Sequence, residues 1–320
     1  MTHSPQPADG APRLRSNRGP GNLSAVLEAV EADTLERWQI ARRFQAGANG
    51  SAYLLRNEVG RRAVLKIQAS DLDRILAADR TMPAALRLNT ARRAAAIARS
   101  HGWPTPVWKA VGKAGNGVCW AVQDYVDGEQ PPLLDLVVAD RLIEIFSLQA
   151  GMLSGWSGGW DCWVHRVIDE DWEDLRARVG PLSGGGALVR AVDIISTACV
   201  GVRVTANDLV HGDFNLTNTL ISASTLWVID ADSLHCGPRV LDPIKTLIVA
   251  GAFGHATPEG LDRLWAYTRS FDPHEFALCA AAATLKIAEG VVRHGLHDMA
   301  GSFIARTLAF LDRVRAETGL

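Results

Sequence analysis

The chain has 320 residues, of which 48% are hydrophobic and 21% are charged, and its formal net charge at pH 7 is -2. This composition is typical of a globular protein with room for two lobes, and the nearly balanced charge gives no reason to expect nucleic acid or a membrane as a partner. Five scattered cysteines without a C-x-x-C pair argue against a disulfide framework or a zinc site and favour a cytoplasmic protein.

The N-terminal region begins with residues 1–22, which are rich in Pro, Gly and Arg and which we expect to form a flexible tail. A helix is predicted from Ser24, and strands are predicted at residues 38–44, 52–55 and 62–67. The loop QAGANGSA joins the first two strands, and backbone N–H groups in such a loop can hold phosphate oxygens. A plain hairpin turn is the alternative. The phosphate-binding candidates in this loop are Gly47, Asn49, Gly50 and Ser51.

Lys66 ends the apolar run AVLK on the third predicted strand. Burying a charged side chain is costly unless it finds a partner, and nucleotide phosphates would satisfy it. An edge lysine whose charge reaches solvent is the alternative. The next predicted helix, residues 83–99, contains arginines but no Glu. The partner of Lys66 is therefore open between the nucleotide alone and the nearby aspartates Asp71, Asp73 and Asp79.

A strand at residues 118–122 completes a β-rich first lobe, residues 23–127. The sequence QDYVDG then leads into a mainly helical second lobe, residues 128–320. Between the lobes, the backbone of Asp124, Tyr125 and Val126 is a candidate for hydrogen bonds to a purine edge, with an ordinary strand-to-helix loop as the alternative. Further helices are predicted at residues 133–151, 171–179 and 187–199, and from residues 258, 273 and 298.

The segment SGWSGGWDCWVHRV carries tryptophans at helical spacing, but its glycines argue against a regular helix. We therefore expect a loop in which Trp160 and Trp163 form either a hydrophobic plug or a wall that stacks on a ligand. Five carboxylates follow within residues 169–174. The start of a helix accounts for part of this acidity, and the remainder suggests attraction for a cation. The substrate-binding candidates here are Asp169, Glu170 and Asp174.

The most informative stretch contains HGDFNLTN and, after a predicted strand pair, VID. Its spacing places Asp213 five residues before Asn218, and the second strand delivers Asp230. Phosphoryl transfer needs a carboxylate that orients or deprotonates the attacking hydroxyl, and oxygen ligands that hold Mg²⁺ against the phosphates. Asp213 fits the first role, and Asn218 and Asp230 fit the second. A turn in which these side chains only cap backbone groups is the alternative.

The order of HGDFNLTN and VID resembles the catalytic loop and the metal-binding aspartate of the aminoglycoside phosphotransferase family. The resemblance implies an α+β, bilobal protein-kinase-like fold with a small β-rich N-terminal lobe and a larger, mainly helical C-terminal lobe. It also implies ATP or GTP and Mg²⁺ as cofactors. The chain departs from the pattern in two places. Kinases usually pair the lysine with a Glu on the following helix, and LDPIKTL has Leu241 and Thr246 where the family has GDP-x-x-D-L.

We therefore expect an O-phosphotransferase that uses a nucleoside triphosphate and acts on a small-molecule hydroxyl. The acidic run favours a cationic acceptor, such as an antibiotic or another basic natural product, and hence resistance by phosphorylation. One alternative is a metabolic kinase for a nucleoside, a sugar, choline or homoserine. The other is a nucleotide-binding pseudokinase that acts by interaction, for which the missing Glu is the best argument.

Overall fold

The computed structural model describes residues 23–44, 50–68, 82–115, 117–169, 172–293 and 297–320. These residues form a β-rich N-terminal lobe and a larger helical C-terminal lobe, so the predicted two-lobed α+β architecture is confirmed. Residues 1–22 lie outside the described ranges, and the division after residue 127 stays a prediction. Among the described residues, no helix is long and apolar enough to span a membrane.

A five-stranded antiparallel sheet forms the N-terminal lobe. Its strands in chain order are β1 (Trp38–Arg43), β2 (Gly50–Asn57), β3 (Arg62–Gln68), β4 (Trp108–Lys113) and β5 (Cys119–Asp124). Their spatial order is β1-β2-β3-β5-β4. Along β3 the buried residues Ala63, Leu65 and Ile67 alternate with Val64 and Lys66. Because side chains alternate across a strand, Lys66 projects from the face opposite to Leu65.

Two helices cover the two faces of this sheet. Helix α1 (Leu23–Thr34) contributes Val26 and Val30 to the core that contains Trp38 and Leu65. Helix α2 (Ala84–Ser100), predicted at residues 83–99, packs its buried alanines near β4 and β5. Those alanines belong to a core that continues without a break into the C-terminal lobe. The second face of the sheet is therefore joined to the larger lobe.

Helices dominate the C-terminal lobe, as predicted. Those in the described residues are α3 (Leu136–Leu148), α4 (Trp160–Asp169), α5 (Trp172–Val179), α6 (Gly185–Ala198), α7 (Leu241–Phe253), α8 (Pro258–Thr268), α9 (Pro273–Arg293) and α10 (His297–Thr318). Helix α9 is central and packs against α4, α5, α6, α7 and α10. Its residues 277–283 are all buried, and most of them are alanines whose small side chains permit this close helix contact.

Two short antiparallel ribbons frame the segment between α6 and α7. Strand β6 (Asp208–Val210) pairs with β9 (His235–Gly237), and β7 (Thr219–Ser222) pairs with β8 (Thr225–Val228). The second ribbon is the predicted strand pair. Its first strand also bonds to the chain that leaves the N-terminal lobe, because Glu129 and Ile221 exchange backbone hydrogen bonds of 3.1 and 2.7 Å. The stretch around Asp213 is thereby tied to the connection between the lobes.

Helix α4 corrects the expectation of a loop in the tryptophan-rich segment. Its glycines precede the helix, and Gly159 stands directly before the first helical residue, Trp160. A β-carbon on Gly159 would lie 2.1 Å from the backbone oxygen of Cys236, so this glycine permits close contact with β9. Trp160 and Trp163 then lie in the core. The helical spacing of the tryptophans was the correct signal, and the glycines mark the point where the helix begins.

We expect Gly159→Ala to lower the free energy of unfolding by about 2–4 kcal/mol, because the new methyl group overlaps the backbone of β9. Gly115→Ala is the matched control, since a β-carbon on Gly115 has no atom within 4 Å among the described residues. The control is expected to change stability by less than about 0.5 kcal/mol. Thermal denaturation of the two variants and the wild type measures the difference. Equal melting temperatures for both variants would contradict the close contact at Gly159.

Candidate active site

The stretch that follows β6 turns sharply at Gly212. Its φ of +79° is favourable only for glycine, and a β-carbon there would lie 1.7 Å from Cζ2 of Trp160. Both the backbone conformation and the packing therefore exclude a side chain at this position. The turn separates His211 from Asp213, and Trp160 supports it from below. The glycine at this turn is thus required by its contact with Trp160.

The carboxylate of Asp242, at the start of α7, anchors this turn from inside the core. Its Oδ2 accepts hydrogen bonds from the backbone N–H of His211 and from Nε2 of Gln149, both at 2.8 Å, and its Oδ1 accepts from the N–H of Gly212 at 2.9 Å. Asp242 has 0% exposure. Burial raises the pKa of its carboxyl group, and these donors oppose that rise. One buried carboxylate thus fixes two consecutive amides of the turn.

Lys245, one helical turn after Asp242, binds the same turn from the other side. Its ammonium group donates to the backbone oxygen of Gly212 and lies 4.9 and 5.0 Å from the ring centroids of Trp160 and Trp163. Burial lowers the pKa of Lys245, whereas the nearby charges of Asp213 and Asp242 raise it. A cation held against two indole faces is stabilised by the ring quadrupoles. The tryptophans and the lysine therefore form one support beneath Asp213.

His211 connects the turn to the strand that carries Asp230. Its ring is fully buried, its Nε2 lies 3.0 Å from the backbone oxygen of Ile229, and its Nδ1 accepts from the N–H of Asp213 at 3.3 Å. Both contacts are satisfied together when Nε2 carries the proton. The residue before Asp230 is also bonded to the loop, because the N–H of Ile229 donates to the backbone oxygen of Asn218 at 2.9 Å. These bonds bring the HGDFNLTN loop and the VID segment that contains Asp230 together.

Asp213 and Asn218 are in direct contact. The amide nitrogen of Asn218 donates to the backbone oxygen of Asp213 at 2.8 Å and lies 3.3 Å from its Oδ2. Burial raises the pKa of the Asp213 carboxyl group, and the charge of Lys245 opposes this rise, while the charge of Asp230 adds to it. The backbone bond from Ile229 to Asn218 places the adjoining Asp230 beside this pair. The structure therefore brings Asp213, Asn218 and Asp230 into one site.

Asp230 reaches this site from the end of β8 in an uncommon backbone conformation. Its φ is +60°, which is rare for a residue other than glycine, and such strain is concentrated at functional sites. The side chain is 48% exposed and forms an ion pair with Lys66 of the N-terminal lobe. The positive charge of Lys66 lowers the pKa of Asp230. The stretch from His211 to Asp230 and Lys66 of strand β3 are thus joined across the two lobes.

Lys66 has a second carboxylate partner, Asp232, whose Oδ1 lies 3.1 Å from Nζ. Burial alone would lower the pKa of Lys66, but Asp230 and Asp232 outweigh it and leave that pKa above its ordinary value. The charge of Lys66 is therefore satisfied by C-terminal-lobe carboxylates, which the sequence did not indicate. The three aspartates considered as partners, Asp71, Asp73 and Asp79, lie outside the described residues.

The predicted nucleotide-binding residues lie in two places. Gly50 and Ser51 begin β2 and pair with β3 beside Lys66, whereas Gly47 and Asn49 lie outside the described residues. Asp124, Tyr125 and Val126 follow from β5. The Asp124 side chain pairs with Lys109 at 3.0 Å, and the Tyr125 ring lies 4.5 Å from the Arg62 guanidinium carbon. The backbone N–H groups of Asp124 and Tyr125 also donate within the lobe, to the oxygens of Val107 and Arg62. A nucleotide contact would therefore fall to the backbone oxygens or to Val126, and it stays a prediction.

The predicted substrate residues separate into two groups. Trp160 and Trp163 are 1% and 2% exposed, so they cannot stack on a ligand without leaving the core, and the alternative of a hydrophobic plug describes them better. Asp169, at the end of α4, and Asp174, in the first turn of α5, are exposed. Glu170 lies outside the described residues. A role for the three acidic residues in acceptor binding stays a prediction.

The oxygen donors at the site fit a divalent cation such as Mg²⁺. Because the amide nitrogen of Asn218 is turned toward Asp213, its carbonyl oxygen is the end suited to a metal, and Asp230 offers carboxylate oxygens. No group of three or more His, Cys, Asp or Glu side chains in the described part of the chain forms a metal site. Two protein oxygen ligands are the arrangement expected where phosphates and water complete the shell of Mg²⁺.

A model of the phosphotransferase enzyme family matches residues 40–279, a range that includes strands β2 to β5, Lys66 and the stretch from Asp208 to Asp232. The chain belongs to the phosphotransferase enzyme family. The resemblance indicated by the sequence motifs is thereby confirmed, together with the expectation of a phosphotransferase. No curated protein matches the sequence.

Solved structures of small-molecule kinases share the fold of this phosphotransferase. A thermostable mutant of aminoglycoside phosphotransferase APH(4)-Ia, in a ternary complex with ADP and hygromycin B, is 15% identical with a TM-score of 0.61, covering 90% of this chain and 98% of the other. The amicoumacin kinase hAmiN, in complex with AMP-PNP, Ca²⁺ and Ami, is 13% identical with a TM-score of 0.61, covering 91% and 93%. Macrolide 2'-phosphotransferase MphH from Brachybacterium faecium is 16% identical with a TM-score of 0.53, covering 89% and 98%. The kinase-like fold is therefore confirmed.

Several residues that build the phosphotransferase site were not found from the sequence. Lys245 carried one available signal, since a lysine inside the apolar run LDPIKTL needs a buried partner. Thr246, which replaces the second acidic residue of the family pattern, donates only to the backbone oxygen of Asp242 one turn earlier, at 3.0 Å. The sequence also does not pair Asp232 with Lys66. That pair joins residues that are distant in the chain, and no local pattern reports such a contact.

Asp242→Asn is expected to destabilise the phosphotransferase by about 2–4 kcal/mol, because whichever way the amide turns, its NH₂ group faces an N–H donor inside the core. Thermal denaturation measures the loss. Asp262→Asn is the control, since Asp262 is 71% exposed and pairs with Arg313 only at 3.4 Å; it should cost less than about 0.5 kcal/mol. A melting temperature for Asp242→Asn equal to that of the control would contradict the anchoring role.

Proposed function

We propose that this phosphotransferase transfers the γ-phosphoryl group of ATP or GTP, with Mg²⁺, to a hydroxyl group of a small molecule. The observation that carries the proposal is the convergence of Asp213, Asn218, Asp230 and Lys66 on one site. Kinase-like enzymes use these residue types in these positions to orient a hydroxyl, hold a metal and bind phosphates. The cytoplasm is the proposed location, in keeping with five cysteines that remain as thiols.

Each residue has a distinct task in the proposed reaction. The carboxylate of Asp213 accepts the proton of the acceptor hydroxyl as that oxygen attacks the γ-phosphorus, and the bond from the γ-phosphorus to the bridging oxygen of the β-phosphate breaks, so the nucleoside diphosphate leaves. The raised pKa of Asp213 suits a proton-accepting role closer to neutral pH. Asn218 and Asp230 would hold Mg²⁺, which when bound neutralises charge that develops on the phosphate oxygens. Lys66 binds the phosphates from the N-terminal lobe. The β2 residues Gly50 and Ser51 would close over them.

Substitution at Asp213 tests this assignment. Asp213→Asn should lower kcat by about two to four orders of magnitude while the Kd for nucleotide changes little, because the amide keeps the shape but cannot accept the proton. The acceptor for the assay comes from a coupled screen of cationic antibiotics, nucleosides, amino alcohols and sugars. Asp312→Asn, an exposed change on α10, is the control and should leave kcat unchanged. Unchanged turnover in Asp213→Asn would remove the proposed reaction.

The acceptor that we propose carries amino groups, as an antibiotic or another basic natural product does. Asp169 and Asp174 are exposed at adjoining helix ends, so their charges are available to a ligand. The similar structures named above include complexes with hygromycin B and with amicoumacin, and a macrolide phosphotransferase. Exposed carboxylates would raise the local concentration of a cation, and this effect weakens as salt screens the charges. The alternative is a metabolic kinase for a nucleoside or sugar. Identification of a neutral acceptor would favour this alternative.

The charge proposal is tested by replacing Asp169, Glu170 and Asp174 with their amides and measuring kcat/KM against salt concentration. We expect a loss of about tenfold at low salt, because three surface charges each contribute a fraction of a kcal/mol, and convergence with the wild type at high salt. The triple control is Asp140→Asn, Asp262→Asn and Asp312→Asn, all exposed carboxylates on other helices. Kinetics indifferent to both salt and the first triple substitution would contradict the cationic acceptor while leaving the phosphotransfer intact.

A further inference from the structure

Asp230 and Asp232 both contact Lys66, but they differ in their surroundings. The side chain of Asp230 is 48% exposed, whereas that of Asp232 is 17% exposed. Asp232 also receives two amide groups of the N-terminal lobe: Nε2 of Gln123 lies 3.4 Å from its Oδ1, and Nε2 of Gln68 lies 3.5 Å from its Oδ2. One carboxylate is therefore open toward the cleft, and the other is enclosed by the sheet.

The three N-terminal-lobe residues around Asp232 share one face of the sheet. Lys66 and Gln68 are two residues apart on β3, and Gln123 is two residues from Ala121, the partner of Lys66 on β5. Side chains two apart on a strand project to the same side. Gln68 and Gln123 are 7% and 3% exposed. This polar face is built into the sheet and does not depend on a flexible loop.

Helix α2 contributes a cation to this network. Nη2 of Arg87 donates to Oε1 of Gln68 at 2.8 Å, and Arg87 is 8% exposed. Gln68 therefore accepts from the arginine with its oxygen and presents its nitrogen to Asp232. No Glu occurs between Glu58 and Glu129. In kinases this helix usually supplies a glutamate to the strand lysine. Here α2 supplies Arg87 instead, and a carboxylate that contacts Lys66 comes from the C-terminal lobe.

We propose that Asp232 is the positioning residue for Lys66 and takes the place of the helix glutamate. This inference rests on the proposed phosphotransfer function. The two carboxylates allow a division of tasks: the enclosed Asp232 keeps Lys66 in place, while the more exposed Asp230 is left to face the metal. Because Asp232 belongs to the C-terminal lobe, its contact with Lys66 holds the lysine in position when the two lobes are together.

A double-mutant cycle between Lys66 and Asp232 tests the proposal. The Kd for ADP is measured by calorimetry for the wild type, Lys66→Met, Asp232→Asn and the double variant, once with Mg²⁺ and once with EDTA. If Asp232 acts through Lys66, Asp232→Asn raises the Kd about tenfold in both buffers, the size of a lost charge-assisted contact. In the Lys66→Met background the same change should alter the Kd by less than about twofold, because interacting residues are non-additive.

Two results would overturn the proposal. An effect of Asp232→Asn that appears only with Mg²⁺ would make Asp232 a metal ligand. An equal effect with and without Lys66 would make its role independent of the lysine. Asp140→Asn is the matched control, since it also removes a carboxylate from an ion pair, with Arg263 on the surface, and it should leave the Kd unchanged in both backgrounds.

Thermal denaturation without ligand separates this proposal from the phosphotransfer function. Asp232→Asn should lower the melting temperature of the wild type by a few degrees and leave it unchanged or raise it in Lys66→Met, where the carboxylate has lost its cation. Additive losses would overturn the positioning role whether or not nucleotide binds. A wild type that shows this coupling but does not bind ADP would contradict the phosphotransfer function and leave the Lys66–Asp232 contact standing as a structural bond between the lobes.

Discussion

The buried carboxylate of Asp242 is the constraint on which the rest of the site depends. It receives the backbone amides of His211 and Gly212 and the side chain of Gln149, and so holds a backbone turn that the chain does not favour by itself. Lys245 binds the carbonyl side of the same turn, and Trp160 fills the space that a side chain at residue 212 would need. The geometry of Asp213 is therefore set by the core of the C-terminal lobe, and substitutions far from the cleft can alter it.

A second feature, the charge network around Lys66, joins this core to the N-terminal lobe. Its acidic members, Asp230 and Asp232, come from the C-terminal lobe, and its amides, Gln68 and Gln123, come from the sheet. An enclosed ion pair costs desolvation, which is recovered only when the partners are well placed and their other hydrogen bonds are satisfied. Such a network favours one relative position of the lobes. The arrangement of the lobes and the position of Lys66 therefore depend on the same contacts.

Much of the fold could be predicted from the sequence because short-range residue patterns indicate its strands and helices. Strand alternation around Lys66, the helical spacing in α2 and the small residues of α9 each have a direct structural meaning, and the motif from His211 to Asp230 indicated the family. Contacts between distant segments had no such signal. The pairing of Lys66 with Asp232 and the insertion of Lys245 between two tryptophans depend on how the lobes and helices pack. At Trp160 the helical spacing outweighs the neighbouring glycines, because these precede the helix without interrupting it.

Calorimetric titration of ATP, with and without Mg²⁺, tests the central claim most directly when the wild type is compared with Asp230→Ala. In the proposed site Asp230 would supply the main anionic oxygen for the metal, so Mg²⁺ should tighten ATP binding in the wild type by at least about tenfold, and this tightening should be lost in the variant. Asp262→Ala, which removes a surface carboxylate, should behave as the wild type. A wild type whose ATP affinity does not respond to Mg²⁺, or a variant that keeps the full response, would contradict the account.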